Sequence, residues 1–193
     1  ECKSFPPCAF CLQFVEKKAY NIACKFEEEQ AAHALGYIYK RRLGFMLEKV
    51  VAIHDLSCVG RCSLTVVIPL LSALGVQVCP LPTAVLSSHS GGFSGVVCRN
   101  LTEEMELFTQ QWSKNGLAFD SVYTGYLASV EQVDVARQVI QKFSGQGKLV
   151  LIDPVMGDDG KPYSLITQEL ISDMRSLVTV ADIITPNYTE ACF

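Results

Sequence analysis

Charged side chains are missing from one long stretch: between Cys62 and Cys98 there is no Asp, Glu, Lys or Arg. A run this apolar raises the question of a membrane span. Pro69, Gly75, Gln77, Pro80 and Pro82 interrupt it, so it reads as a buried helix, a buried strand and a loop, with no membrane as partner. Basic runs are also absent, and Arg is not interleaved with aromatics; with a net charge of −4 this argues against nucleic acid. No charged-then-apolar leader opens the sequence, so a cytoplasmic location is expected. Three further patterns are lacking. Gly157-Asp158-Asp159-Gly160-Lys161-Pro162 has the wrong spacing and last residue for a Walker A loop, and there is neither a G-x-G-x-x-G nor a G-x-S-x-G.

What is present is enough for one globular domain: 193 residues, 49% apolar and 19% charged. The nine cysteines sit mostly among apolar or small neighbours, which suits reduced thiols better than a disulfide framework. Cys8-Ala9-Phe10-Cys11 has the spacing of half a zinc site, but no second close pair follows, so zinc is not expected.

Two zones differ in character. Residues 1–45 mix cysteines, aromatics and charges without a strand pattern and are read as an extension outside the domain. Arg41-Arg42 precedes Met46 by a few codons and is compatible with a purine-rich ribosome-binding site, so an untranslated leader read through is one source. A helical arm, Lys17 to Tyr39, or a zinc-binding extension is the other.

From residue 46 to 193 the pattern is regular. Val50–Ile53 is a short apolar run, as in a strand covered on both faces. Gly60 and Ser63 open a helix with Leu64, Val67, Ile68, Leu71 and Leu74 on one face, and Gly75 ends it. Val76–Leu81 is the next strand. Asn100 with Glu103 marks a helix carrying the stripe Leu101, Met105, Phe108 and Trp112. Asp120–Gly125 is a strand. Ser129 and Gln132 form a capping box, with Val133, Ala136, Ile140 and Phe143 buried and Gly145 as the stop. Leu149–Ile152 is a strand, a helix lies within residues 164–177, and Ala181–Ile184 is the last strand. This alternation predicts an α/β fold, a Rossmann-like parallel sheet with helices on both faces. Ligands in such sheets sit at the carboxyl ends of strands, which selects His54-Asp55, Gly125-Tyr126, Asp153 and Asn187.

Each of these positions has an ordinary structural explanation beside a functional one. Asp153 and Asp158 flank a turn and can hold a hard cation directly or through water, or can be solvated turn acids. Asn187 and Glu190 have N-cap and N3 spacing, which explains them as helix capping, although a helix start at a strand end is also where phosphate and its magnesium are held. Tyr126 suits packing as well as a ligand, and Ser87–Gly92 is by itself a polar, glycine-rich loop in which His89 is as readily a hydrogen-bonding core residue as a site residue.

Together and in order, five segments resemble the pyridoxal/pyridoxamine kinases of the ribokinase-like superfamily. They are Val51–Arg61, Leu86–Gly91, Thr124–Tyr126, Asp153–Asp158 and Ala181–Glu190. The Asp-Pro-Val-Met-Gly and Thr-Pro-Asn-x-x-Glu pieces are shared with hydroxymethylpyrimidine kinases; Ser-His-Ser-Gly and Thr-Gly-Tyr tilt towards the pyridoxal branch. The resemblance implies ATP-dependent phosphorylation of the hydroxymethyl group of vitamin B6. A hydroxymethylpyrimidine kinase and a non-catalytic binding module are the alternatives. It implies that Asp55, Ser90 and Tyr126 face the pyridine ring, and that Asp153 and Thr185 line a site for a monovalent cation, K+ or Na+. It also implies that Asp158 and Glu190 hold Mg2+ and ATP through water, and that Asn187 contacts phosphate. It suggests a homodimer for the full-length form. Asp55 stands where better-known members carry Ser. The family's catalytic base belongs to a downstream Gly-x-Gly-Asp element that this sequence does not contain, so the sequence is expected to be the N-terminal part of a ribokinase-like kinase, without its base and inactive alone.

Overall fold

The structure, a computed structural model, describes residues 47–89, 93–143 and 148–193, which belong to one unit running from Leu47 to Phe193. The cysteines at 2, 8, 11 and 24, Ser90 and Gly145 lie outside the described residues.

β1 (Lys49–Ser57) is central because its residues are apolar on both faces, and nearly all are buried. β2 (Gln77–Leu86) pairs parallel on one side of it, and β4 (Ser121–Thr124) parallel on the other. β5 (Leu149–Ile152) and β8 (Ile183–Ile184) continue the parallel set, and β3 (Cys98–Asn100) adds one antiparallel strand, giving the order β3-β2-β1-β4-β5-β8. The expected α/β sheet is therefore present. β2 runs five residues further than its apolar pattern suggests, and β3 has no counterpart in the sequence reading.

The two faces of the sheet are covered unequally. On one, α2 (Thr102–Lys114), α3 (Val130–Phe143) and α4 (Gln168–Leu177) bury the larger core, with Met105, Val133, Ala136, Val139, Leu170, Met174 and Leu177 packed over Val51, Ile53, Val122, Val150 and Ile152. On the other, α1 (Leu64–Ala73) buries Leu64 and Val67 over Ala52. Its predicted stripe is only half right: Ile68 and Leu74 are exposed, because α1 lies alone on that face among the described helices. The α2 stripe is corrected in the same way, with Met105 buried and Phe108 exposed. No helix among the described residues is long and apolar enough to cross a membrane.

Two predicted caps take different partners. The Asn100 side chain accepts the Thr102 amide at 2.8 Å, one residue ahead of the predicted Glu103 contact. The Ser129 hydroxyl accepts the Gln132 amide at 3.4 Å, which is half of the predicted box; the Gln132 side chain accepts the Ala128 amide at 2.7 Å rather than that of Ser129, and its Nε2 crosses to the Thr83 carbonyl, also at 2.7 Å. Gln132 is fully buried, so it spends its carboxamide on tying the start of α3 to β2.

Candidate active site

β1, β4, β5 and β8 are parallel and in register, so the residues that follow them emerge at one end of the sheet. Asp55, Tyr126, Asp153 and Asn187 all stand there, as the strand-end rule predicts. Three strand spacings separate β1 from β8, roughly 14 Å. The site therefore has two halves.

The first half surrounds Asp55, which is 5% exposed. The β1–β2 register shifts between His54 and Leu56, leaving Asp55 in the irregularity with Thr83 and Ala84 across from it. Such bulges re-aim side chains at strand ends. The Asp55 carboxylate accepts the Ser57 hydroxyl at 3.0 Å and the Ser63 hydroxyl at 2.5 Å. Ser63 makes no side-chain cap on α1 and holds φ 50, a left-handed conformation that a non-glycine residue rarely adopts. Across the bulge, Thr83 donates to the Tyr126 carbonyl at 2.9 Å and fixes that loop. Burial pushes the Tyr126 phenol up to about 12, with Cys98 and then Asp55 adding to the rise. The Cys98 thiol is also raised, by burial first and then by Asp55. Both therefore face Asp55 as neutral groups.

On the opposite sheet face lies His54, 3% exposed, with its ring 4.3 Å from that of Tyr123, edge to face. Burial lowers its pKa to about 4, and its Nε2 has no hydrogen-bond partner. Gly60 and His89 bring the β1–α1 and β2–β3 loops together: the His89 amide donates to the Val59 carbonyl at 2.8 Å, and a Cβ on Gly60 would meet that of His89 at 2.9 Å.

The second half is built on the turn after β5. Gly157–Asp158 (β6) and Lys161–Pro162 (β7) form a small antiparallel hairpin, turning through Asp159 at φ 51 and Gly160 at φ 75. Gly157 is required by the close approach of the partner strand, since a Cβ would lie 2.3 Å from the Lys161 carbonyl oxygen. The hairpin leaves Asp158 exposed, with one carboxylate oxygen on the Asp159 amide at 2.9 Å.

α5 (Tyr188–Cys192) begins with the full capping box that the Asn187 and Glu190 spacing predicts. The Glu190 carboxylate accepts the Asn187 amide at 2.9 Å with one oxygen and the Met156 amide at 3.1 Å with the other. The Asn187 side chain in turn donates to the Gly157 carbonyl at 2.8 Å. Capping and site-building are thus the same contacts. Burial raises the Glu190 pKa against these hydrogen bonds, and Asp158 adds to the rise. Burial pushes Asp153 up to about 6, with Glu190 reinforcing the shift and a hydrogen bond from the Thr185 side chain opposing it.

Sequence reasoning singled out Asp55, Tyr126, Asp153, Asp158, Thr185, Asn187 and Glu190. The structure brings them to the same sheet end, in the two halves described. Sequence reasoning gave no site role to Ser57, Ser63, Thr83, Cys98 or Gln132, although it read Ser63 and Gln132 as helix-start residues. Among the described residues, no group of three or more His, Cys, Asp or Glu forms a ready metal cage. A depression of about 290 Å3 between α2 and α3, lined by Glu106, Gln138 and Lys142 among others, contains none of these groups.

Residues 69–193 match the phosphomethylpyrimidine kinase family. A provisionally named phosphomethylpyrimidine kinase from Bacteroides thetaiotaomicron, crystallised with pyridoxal, is 48% identical with a TM-score of 0.73, over 75% of this chain and 50% of that one. Pyridoxal kinase from Leishmania donovani, solved with ADP and pyridoxine, is 29% identical with a TM-score of 0.64, over 74% of this chain and 51% of that one. Pyridoxal kinase from Arabidopsis thaliana is 36% identical over 63% of this chain and 40% of its own length. The chain belongs to this family of ribokinase-like kinases, on its pyridoxal kinase side. It spans less than half the length of the curated relatives it matches and about half that of the solved ones.

Proposed function

We propose that this chain carries the vitamer-binding and phosphate-binding half-sites of a kinase that transfers the γ-phosphoryl group of ATP to the hydroxymethyl group of pyridoxal, pyridoxine or pyridoxamine. The observation that carries the reading is the pairing of the two half-sites on one sheet end: a buried carboxylate with a neutral tyrosine on β1 and β4, and a carboxylate-rich turn against a helix start on β5 and β8. Phosphoryl transfer needs positioning and charge neutralisation more than covalent chemistry.

In this reading Asp55, Tyr126 and Ser90 orient the pyridine ring. Asn187 meets phosphate at the start of α5, and Asp158 and Glu190 hold magnesium through its water shell. Magnesium, when bound, neutralises charge on the phosphates. The donor set fits a water-mediated ion: Asp158 is exposed and has one oxygen uncommitted, and magnesium keeps several waters when few carboxylates hold it. Asp153 and Thr185 fit K+ or Na+, because a buried carboxyl raised to about 6 gains from a cation beside it. Residues 1–45 are taken as lying outside the kinase domain, and the family match starts well beyond them, at residue 69.

The test is to incubate the full-length protein with Mg-ATP and each of the three B6 vitamers and hydroxymethylpyrimidine, and to identify the phosphate esters by mass spectrometry. Phosphorylated vitamers are expected. Exclusive turnover of hydroxymethylpyrimidine would support the second reading, which the description of the matched family favours. Binding of ADP without any ester would point to a non-catalytic module.

A further inference from the structure

We infer that His54 is a positioning residue: its imidazole wedges the turn at Gly125 and so sets where Tyr126 stands in the vitamer half of the site. This rests on the kinase reading above and deepens it.

His54 is 3% exposed, and its Nε2 is buried without a hydrogen-bond partner. Such an atom costs stability where an apolar side chain would not. Neither stability nor hydrogen bonding at Nε2 therefore explains an imidazole at this place. Its contacts are steric. The ring stands edge to face on Tyr123, with centroids 4.3 Å apart, and this contact holds its plane. The same ring closes on Gly125 so tightly that no side chain fits there: a Cβ would meet Nδ1, Cε1 and Cγ at 2.2, 2.5 and 3.1 Å.

Gly125 is the pivot between the two faces of the sheet. Tyr123, against which His54 packs, lies on the α1 side with Ala52, Leu64 and Val67. Tyr126 packs against the larger core on the other side. The Gly125 amide donates to the Ile53 carbonyl at 2.9 Å and continues the β1–β4 pairing, and the Thr83 hydroxyl ties the Tyr126 carbonyl to β2 at 2.9 Å. The first of these bonds lies in the plane of the sheet and does not oppose movement of Gly125 towards the α1 side. The imidazole does, because it occupies the space into which the glycine would move. A binding side chain must be held to within about 0.5 Å by the packing behind it, and for Tyr126 that packing includes the ring of His54.

The experiment measures calorimetric affinities of the full-length protein for pyridoxine and, separately, for Mg-ADP. Wild type, His54→Ala, His54→Gln and the double variant His54→Ala with Gly125→Ala are compared, with melting curves to confirm that each is folded. His54→Ala is expected to weaken pyridoxine binding by about three- to tenfold, the value of one well-placed hydrogen bond, and to leave Mg-ADP binding unchanged. His54→Gln keeps a flat group of similar reach and should retain most of the affinity. In the double variant the added methyl group fills the space that the ring leaves, so much of the loss should be recovered. A general loosening of the fold moves both ligands together and is not repaired by that methyl group. If His54→Ala does not fold, His54→Asn is set against His54→Gln, and the shorter amide should weaken pyridoxine alone. Pyridoxine affinity that is unchanged, that falls together with Mg-ADP affinity, or that stays low in the double variant overturns the inference while leaving the kinase reading intact. Failure of wild type to bind any vitamer overturns the kinase reading and this inference with it.

Discussion

His54 and Gly125 compete for one volume: a Cβ built on Gly125 would lie 2.2 Å from His54 Nδ1 and 2.5 Å from Cε1. The glycine between Thr124 and Tyr126 is therefore set by the imidazole of the neighbouring strand. Gly125→Ala should destabilise the protein by about 1–3 kcal/mol, the usual cost of overpacking. In a His54→Ala background the same change should cost much less, giving a coupling of about 1–2 kcal/mol in a double-mutant cycle read by urea unfolding. Additive effects would show that the ring moves aside freely.

His54 and Asp153 should pull stability in opposite directions over nearly the same pH range. Burial holds the His54 pKa near 4, below its unfolded value of 6.5, so the unfolded chain takes up the proton first and stability is lost as pH falls from about 6.5 to 4. Asp153 is raised from 3.8 to about 6, so the folded state holds that proton and stability is lost as pH rises from about 4 to 6. The two slopes largely cancel in the wild type. His54→Gln should unmask a protein less stable at pH 6 than at pH 4.5, and Asp153→Asn the reverse. Melting temperatures across pH 4–7 check both signs.

The two residues also mark where sequence pattern stops being informative. The apolar run from Val50 to Ile53 announces a central strand because both faces are covered, and the strand-end positions follow from topology alone. The capping box of Asn187 and Glu190 is legible because its partners are three residues apart. The rest is set by contacts distant in sequence. Cys98–Asn100 is a strand only because it pairs with β2; three residues, none of them buried, carry no pattern of their own. Ser63 sits where an N-cap belongs, and only Asp55, eight residues earlier, explains why it is not one. Gln132 has cap spacing from Ser129, yet one of its two shortest contacts crosses 49 residues to Thr83. Gly125 was read only as a strand-end position, whereas a glycine there often also marks close approach of another group, here His54.

Asp158→Asn should raise the magnesium needed for half-maximal phosphorylation and lower turnover at limiting magnesium, each by roughly tenfold, with vitamer affinity little changed. The hairpin should survive, because asparagine still offers an acceptor to the Asp159 amide. Turnover unchanged at limiting magnesium would make Asp158 a turn residue only.

Gln132→Leu should be among the more damaging substitutions of similar size. It removes the acceptor for the Ala128 amide and the donor to the Thr83 carbonyl in a fully buried position, so a loss of roughly 2–3 kcal/mol is expected. Because Thr83 also holds the Tyr126 loop, vitamer affinity should weaken in parallel, whereas nucleotide affinity should not. Calorimetry with each ligand separately distinguishes this from general destabilisation.

The two oxygens of Glu190 are anchored on amides 31 residues apart, at Met156 and Asn187. Breaking either contact frees the carboxylate that makes the other. The turn after β5 and the first turn of α5 should therefore open as one cooperative unit, and the amide hydrogens of Met156 and Asn187 should exchange with deuterium at matched rates. Anything that reduces the charge on Glu190 would speed both together, so the phosphate-binding half-site is built to be lost or kept whole.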